Sequence, residues 1–476
     1  MADDSSDDRS DYSDMEYDEN AQESDGYERN EREKMKDTSY DSNDLIYIQL
    51  WFHMLFAFTL RVLFMVYGIF HDQMFKVKYT DVDYSVFTDG AYYLSHGRSP
   101  FLRDGYRYSP LLAYIVLPNV LLFNTFGKLL FILADLATGL LIYKILQQLK
   151  TNSPEIVRIT KSGSISAAMV WLYNPLTLVI STRGSSDTII TFLVLVSLLL
   201  VLKRQLALAG AVFGLVVHFK QYPVIYALII YCFLRHQPQS SHSSSQKTVN
   251  RSSSFIARLN PFNTDRVLFF AAALITFTLT TYYCYLKFGE VYINEGWLYH
   301  FSRIDKQHNF SVYFYLYYLA GDDYIKLIAK LAFVPQVLVM LASALYVLYE
   351  DDPARASMKL MWSLFSVTFW FVNLNKVITS QYFVWYFALF PLLVQFLDKQ
   401  HLTTRRLVGL LIVWLAAQGQ WLLPAYLYEF RHLAWAWHWI GCASFVFNLM
   451  NWAIYATLRN NFRLELSSTS TNQKQD

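Results

Sequence analysis

The chain has 476 residues, of which 54% are apolar, 17% aromatic and only 16% charged, well below the roughly 25% charged residues of a soluble domain. Its net charge of +2 hides an asymmetry: residues 1–44 carry 17 acidic and 5 basic side chains, leaving 21 acidic and 35 basic over the other 432. A single soluble globule is excluded, and so is a disulfide scaffold, because Cys232, Cys284 and Cys442 stand singly in apolar runs. What remains is an all-α polytopic membrane protein preceded by an acidic tail.

In chain order, residues 1–44 hold almost no aliphatic side chains, and their composition predicts an acidic disordered tail on the cytosolic side. No cleavable signal is expected before this tail, and the first apolar run, 45–70, is expected to act as an uncleaved anchor. Long apolar stretches follow at 127–146, 266–286, 328–349, 407–423 and 434–457. Shorter ones lie at 165–182, 187–202, 206–218, 222–235, 358–373 and 382–397. A helix of about 14 residues covers only ~21 Å of a ~30 Å hydrocarbon core, so these read as short or broken helices ending inside the protein. The total predicted is about twelve spans over a membrane domain of 45–458, with 459–476 as a C-terminal tail.

The distribution of Lys and Arg sets the expected orientation. Lys150, Arg158 and Lys161, the Lys203-Arg204 pair, the Ser-rich loop 236–265, and Lys399, Arg405 and Arg406 fall on the cytosolic side with both termini. The opposite side receives a long first loop, 71–126, with an amphipathic stretch after Asp81-Val-Asp83, and most of the polar clusters.

These clusters supply candidate chemistry. Asp81 and Asp83 form an Asp-x-Asp just beyond a span, a pattern that suits a proton acceptor or a hard cation and equally a helix cap. Arg107 stands between Tyr106 and Tyr108, either anchoring an interface or binding a phosphate or sugar. His218 and Lys220 lie between two half-length spans, where ionisable groups line pathways or pair with one another. The segment 299–311 brings His300, Arg303, Asp305 and His308, without ligand spacing for zinc, and Asn309-Phe310-Ser311 matches a glycosylation sequon whose nearness to the next span disfavours use. Lys376 and Gln381 follow in 373–386. Carboxylates, cations and histidines delivered to one membrane face by separate loops read as one site for an anionic ligand.

The string Tyr79-Thr-Asp81-Val-Asp83-Tyr84, with Gly97-Arg98-Ser99-Pro100-Phe101 and Tyr106-Arg107-Tyr108-Ser109-Pro110, closely resembles the PIG-M family. The later blocks agree in order: Asn174-Pro175 with Ser181-Thr182-Arg183-Gly184, His218-Phe-Lys220-Gln-Tyr222-Pro223, Arg303 to Ser311, Asn375 to Phe383 and Pro424-Ala425-Tyr426. This resemblance covers about 61–429 and implies a GT-C-type glycosyltransferase of the endoplasmic reticulum membrane with a luminal active site. It implies transfer of the first mannose, in α1-4 linkage, from dolichyl-phosphate-mannose to glucosaminyl-(acyl)phosphatidylinositol in GPI-anchor biosynthesis, with a small stabilising subunit of PIG-X type. The acidic tail and the Ser-rich loop depart from the family pattern.

On that reading Asp81 and Asp83 are catalytic. Lys220, His218, Arg303, His308, Lys376, Gln381 and Arg107 hold the donor phosphate or substrate. No metal cofactor is expected, because fixed cations face a monophosphate. The alternatives are another dolichol-phosphate-sugar transferase, acting on an N-glycan precursor or in protein O-mannosylation, and a transporter, which broken helices also suit.

Overall fold

Short capped helices follow from the local sequence. Asn174 accepts a hydrogen bond from Leu176 N–H at 2.9 Å, Pro175 supplies a preset φ at the first helical position, and Gly184 closes the Pro175–Arg183 helix at φ +92°. Ser99-Pro100, Ser109-Pro110 and Asp352-Pro353 start other helices in the same way. The preceding helix, Lys161–Leu172, meets Pro175–Arg183 at a bend of 52°, so an apolar run of one span's length becomes a broken one.

The computed structural model describes residues 16–235 and 255–466. Met1–Leu55 forms one unit, whose described part begins the helix Glu16–Met74; Phe56–Asp476 forms the other and contains the remaining elements. Among the described residues the chain is helical, and its only β pairing is an isolated bridge between Leu397 and Phe462. Residues 16–44 belong to the helix Glu16–Met74. Extending an existing helix requires no new nucleus, and Glu, Lys and Arg are good helix formers. Residues 1–15, most of the Ser-rich loop (236–254) and 467–476 lie outside the described residues.

Five described helices are long and apolar enough to cross a membrane: Asp44–Met74, Phe126–Asn152, Thr264–Phe288, Tyr324–Leu348 and Thr404–Arg431. The bent pair makes six, and shorter apolar helices include Asp187–Leu202, Leu206–Phe219 and Tyr222–Phe233. By length and composition alone the described residues thus give five or six candidate spans, with the shorter apolar helices beside them, and the count of about twelve, several short or broken, rests on those shorter helices. Proline, glycine and polar caps end several apolar runs after two to four turns, and polar residues interrupt others, such as Pro353–Asn373 and Ala436–Asn461. The chain is a multi-pass, all-helical membrane protein.

Two contacts fix the frame around the later site. Arg61 and Asp135 form a fully buried ion pair at 2.6 Å, and Arg61 also donates to Leu172 O at 3.0 Å. Trp171 Nε1 donates to Asp135 O at 2.9 Å, so three helices share one polar node. The Leu206–Phe219 helix lies directly on Thr264–Phe288. A Cβ at Gly210 would meet Phe269 O at 2.1 Å, and one at Gly214 would meet Ala273 O at 2.2 Å. Small residues four apart let the two backbones touch.

Candidate active site

Asp81 caps the Val82–Ser95 helix, its Oδ1 accepting from Asp83 N–H at 3.1 Å, while its own N–H donates to Arg183 O at 3.0 Å. The capping role that Asp-x-Asp allowed is thus realised at Asp81, and it places Asp83 in the first turn of the same helix. The buried face of that helix, Tyr84, Phe87 and Ala91, packs with Leu112, Val116 and Phe131, and Ile189 and Phe219 lean on the same cluster. Gly184 leaves room for the Tyr84 ring, which a Cβ would strike at 2.5 Å. Apolar packing thereby brings the carboxylates beside the ends of the Pro175–Arg183 and Leu206–Phe219 helices.

A cavity of about 770 Å³ opens there. Asp81, Asp83, Arg107, His218, Lys220, Arg303, Lys376 and Gln381 all line it, drawn from positions up to 300 residues apart. Gln381 Nε2 donates to Asp83 Oδ2 at 3.1 Å. Burial, and then the neighbouring Asp83 carboxylate, push the Asp81 carboxyl above the ordinary aspartate range, against the pull of Arg183. Burial and the same Asp83 push the Tyr108 phenol well up, so it stays protonated beside the carboxylates.

The same lining carries cations. Lys220 Nζ lies 2.7 Å from Asp187 Oδ1 and within about 5 Å of the Tyr382 and Trp385 ring centres (5.2 and 5.0 Å). Arg303 pairs with Asp305 at 2.8 Å, and Arg107 pairs with Glu295 while its guanidinium stands 4.4 Å over the Tyr299 ring. Lys376 is 5% exposed and donates to Phe301 O at 2.8 Å. Among the described residues no carboxylate pairs with it. Burial, and then Arg303, pull its ammonium below the ordinary lysine range, an imbalance that a bound anion would relieve. His218 is held from several sides: by Ser109 Oγ at 3.1 Å, Thr281 Oγ1 at 3.2 Å and the Tyr292 hydroxyl at 3.4 Å.

The segment carrying Arg303 is fastened to the one carrying Lys376. Phe310 N–H donates to Ile378 O at 3.1 Å, Ile378 N–H donates to Asn309 Oδ1 at 3.2 Å, and Ser311 Oγ donates to Asn375 O at 2.6 Å. Asn309 is only 7% exposed and its amide oxygen serves two backbone donors, Ser311 and Ile378. The sequon is therefore structural. Asn309→Gln is expected to leave electrophoretic mobility unchanged; a faster band than wild type, matched by endoglycosidase treatment, would show a glycan there.

One candidate falls elsewhere. His308 does not line the cavity; its ring packs among Trp421, Tyr428 and Trp437 at 5.9–6.3 Å. A run of polar residues does not reveal which way each side chain turns, and the neighbouring Phe310, stacked on Trp421 at 4.1 Å, takes His308 with it. Other residues were not singled out by the sequence. Asp187 is one; its place in a polar junction was visible, but its partner 33 positions away was not. Tyr108, Tyr382 and Trp385 also line the cavity, with Tyr222, Trp385 and Tyr382 forming a three-ring stack at 3.7 and 4.3 Å.

A family model described as "Mannosyltransferase (PIG-M)" matches residues 180–458. The chain is 37% identical over 410 residues to the GPI alpha-1,4-mannosyltransferase I catalytic subunit of Danio rerio, covering 86% of this chain and 95% of that protein. It is 36% identical over 406 residues to GPI mannosyltransferase 1 of Dictyostelium discoideum (82% and 88%). To GPI mannosyltransferase 1 of Saccharomyces cerevisiae it is 33% identical over 429 residues (89% and 98%).

Proposed function

The chain belongs to the PIG-M mannosyltransferase family, and from that premise we propose that its cavity transfers the first mannose of the GPI anchor from dolichyl-phosphate-mannose, in α1-4 linkage, to glucosaminyl-(acyl)phosphatidylinositol. That it is a glycosyltransferase, specifically a GPI mannosyltransferase with a GPI intermediate as acceptor, follows from the family. Membership also removes the transporter alternative. The donor, the linkage, the luminal placement of the cavity, the cytosolic termini, the GT-C architecture and a small PIG-X-type subunit are parts of the proposal.

The observation that carries the mechanism is that one cavity is lined both by the carboxylates Asp81 and Asp83 and by the cations Lys220, Arg303 and Lys376. Transfer breaks the bond between the mannose C1 and the lipid phosphate and forms one from C1 to the acceptor hydroxyl oxygen. The hydroxyl proton goes to a carboxylate, Asp83 in this proposal, since Asp81 Oδ1 is committed to its cap. Asp81 and the Gln381 amide hold Asp83 and orient the acceptor. The leaving phosphate gains negative charge, which fixed cations stabilise without reorganisation. Lys376, which no carboxylate pairs among the described residues, adds an uncompensated charge to those of Lys220 and Arg303. Attack opposite the phosphate inverts the anomeric centre and converts a β-linked donor into an α-mannoside, with no covalent intermediate.

The decisive assay supplies membranes containing the chain with dolichyl-phosphate-mannose and a glucosaminyl-phosphatidylinositol analogue, then determines the product linkage. An α1-4 mannosyl product that forms equally in EDTA is expected. Transfer from GDP-mannose instead, or activity lost in EDTA and restored by manganese, would overturn the donor or the metal-free role of the aspartates.

The pH profile offers a second check. The shift at Asp81 is upward, and protonating it removes the negative charge that this proposal places beside the acceptor. Activity is therefore expected to fall on acidification over a range above the 3.8 of an ordinary aspartate. An acid limb at or below that value would remove the Asp81 charge from the reaction.

A further inference from the structure

We propose that Asp187 is a positioning residue for the transfer, a buried carboxylate behind the cavity wall that fixes both the Lys220 ammonium and the aromatic stack beside it. The proposal rests on the reading of Lys220 as a contact for the donor phosphate.

Asp187 is the first residue of the Asp187–Leu202 helix, and its side chain is 2% exposed, against 26% for Lys220. Ser186, Ile189 and Ile190 line the cavity and Asp187 does not, whereas both of its donors, Lys220 and Trp385, do. A single oxygen, Oδ1, accepts from Lys220 Nζ at 2.7 Å and from Trp385 Nε1 at 2.8 Å. The other oxygen is approached by Ser185 Oγ at 3.4 Å. The start of a helix favours a negative charge, and the two donors complete the solvation of a group that water does not reach.

The two donors come from different elements, and the cavity wall depends on both. Lys220 ends the Leu206–Phe219 helix. Trp385 belongs to the Phe383–Leu389 helix and is the middle ring of the stack, 3.7 Å from Tyr222 and 4.3 Å from Tyr382. Lys220 Nζ stands near the faces of two of those rings. One carboxylate thus ties three helices at the point where the flexible lysine stem must present its charge. Free lysine side chains carry large rotamer entropy, so a fixed ammonium is a preorganised one. Asp187 touches no reacting atom; it acts through Lys220.

The test is a double-mutant cycle on purified, detergent-solubilised enzyme, reading donor KM, acceptor KM and kcat together with folded yield and thermal midpoint. Asp187→Asn keeps the size and an acceptor for Trp385 but removes the counter-charge of Lys220. It is expected to raise donor KM about tenfold or more, with acceptor KM unchanged. Lys220→Met is expected to do the same, and the double variant to match Lys220→Met alone. Donor KM within twofold of wild type in Asp187→Asn, or additive effects in the double variant, would overturn the proposal. Where Asp187→Asn fails to accumulate, Asp187→Glu decides: it keeps the charge but displaces the ammonium. Its donor KM is expected to rise at least threefold at near-normal yield, and an unchanged donor KM would overturn the proposal. The two readings fail separately. A wild-type chain that does not use a lipid-phosphate donor removes the proposed function, whereas normal donor use with insensitivity at Asp187 removes only the positioning role.

Discussion

Replacing Asp83 by asparagine is expected to lower mannosyl transfer by about 10²- to 10⁴-fold, the range for loss of a positioned general base, with the folded protein still accumulating. Asparagine is the same size and can still accept from Gln381, so the helix and the cavity persist while the proton acceptor is lost. Asp81→Asn separates two roles. Asparagine is as good an N-cap as aspartate, so the Val82–Ser95 helix is retained. Loss of activity in that variant would then report the charge at Asp81 and not the cap. The measurement is initial rate against lipid-linked donor, normalised to folded enzyme. Rates within threefold of wild type in both variants would remove the aspartates from the chemistry.

The second large effect concerns the fold. Gly214→Leu, and to a lesser degree Gly210→Ala, is expected to strip the protein from the membrane fraction, because any Cβ there overlaps the facing backbone of Thr264–Phe288. Overpacking of this kind costs about 1–3 kcal/mol even where neighbours can shift, and a backbone carbonyl shifts less readily than a side chain. The damage also reaches the cavity. Thr281, on the same helix, holds His218 at 3.2 Å, and His218 is in turn bonded to Ser109 on the first loop. Steady-state abundance and the thermal midpoint in detergent measure the effect. Normal values for the Gly210→Ala, Gly214→Ala double variant would mean that the two helices do not pack this closely.

Several site residues are legible in the sequence because chemistry interrupts pattern. Charged residues at the ends of apolar runs, such as Lys220 and Lys376, stand out because the membrane makes them costly. Asp81 and Asp83 stand out by spacing. Breaks were legible through Asn174-Pro175 and Gly184, whose backbone requirements are local. The number of full-length spans was less legible, because apolar content does not say whether a run is one straight helix or two bent pieces.

By itself the sequence determined a helical, multi-pass membrane protein, the break points of several helices, and a set of polar residues that must avoid lipid. These depend on hydrophobicity and on dihedral preferences that each residue carries with it. Only the tertiary structure decided which of those residues share a cavity, that His308 turns into an aromatic cluster instead, and that Asp187 stands behind Lys220 and Trp385. Contacts between positions 187, 220 and 385 are made by helix packing. A side chain's direction at the end of a helix is set by its neighbours in space, which no local pattern encodes.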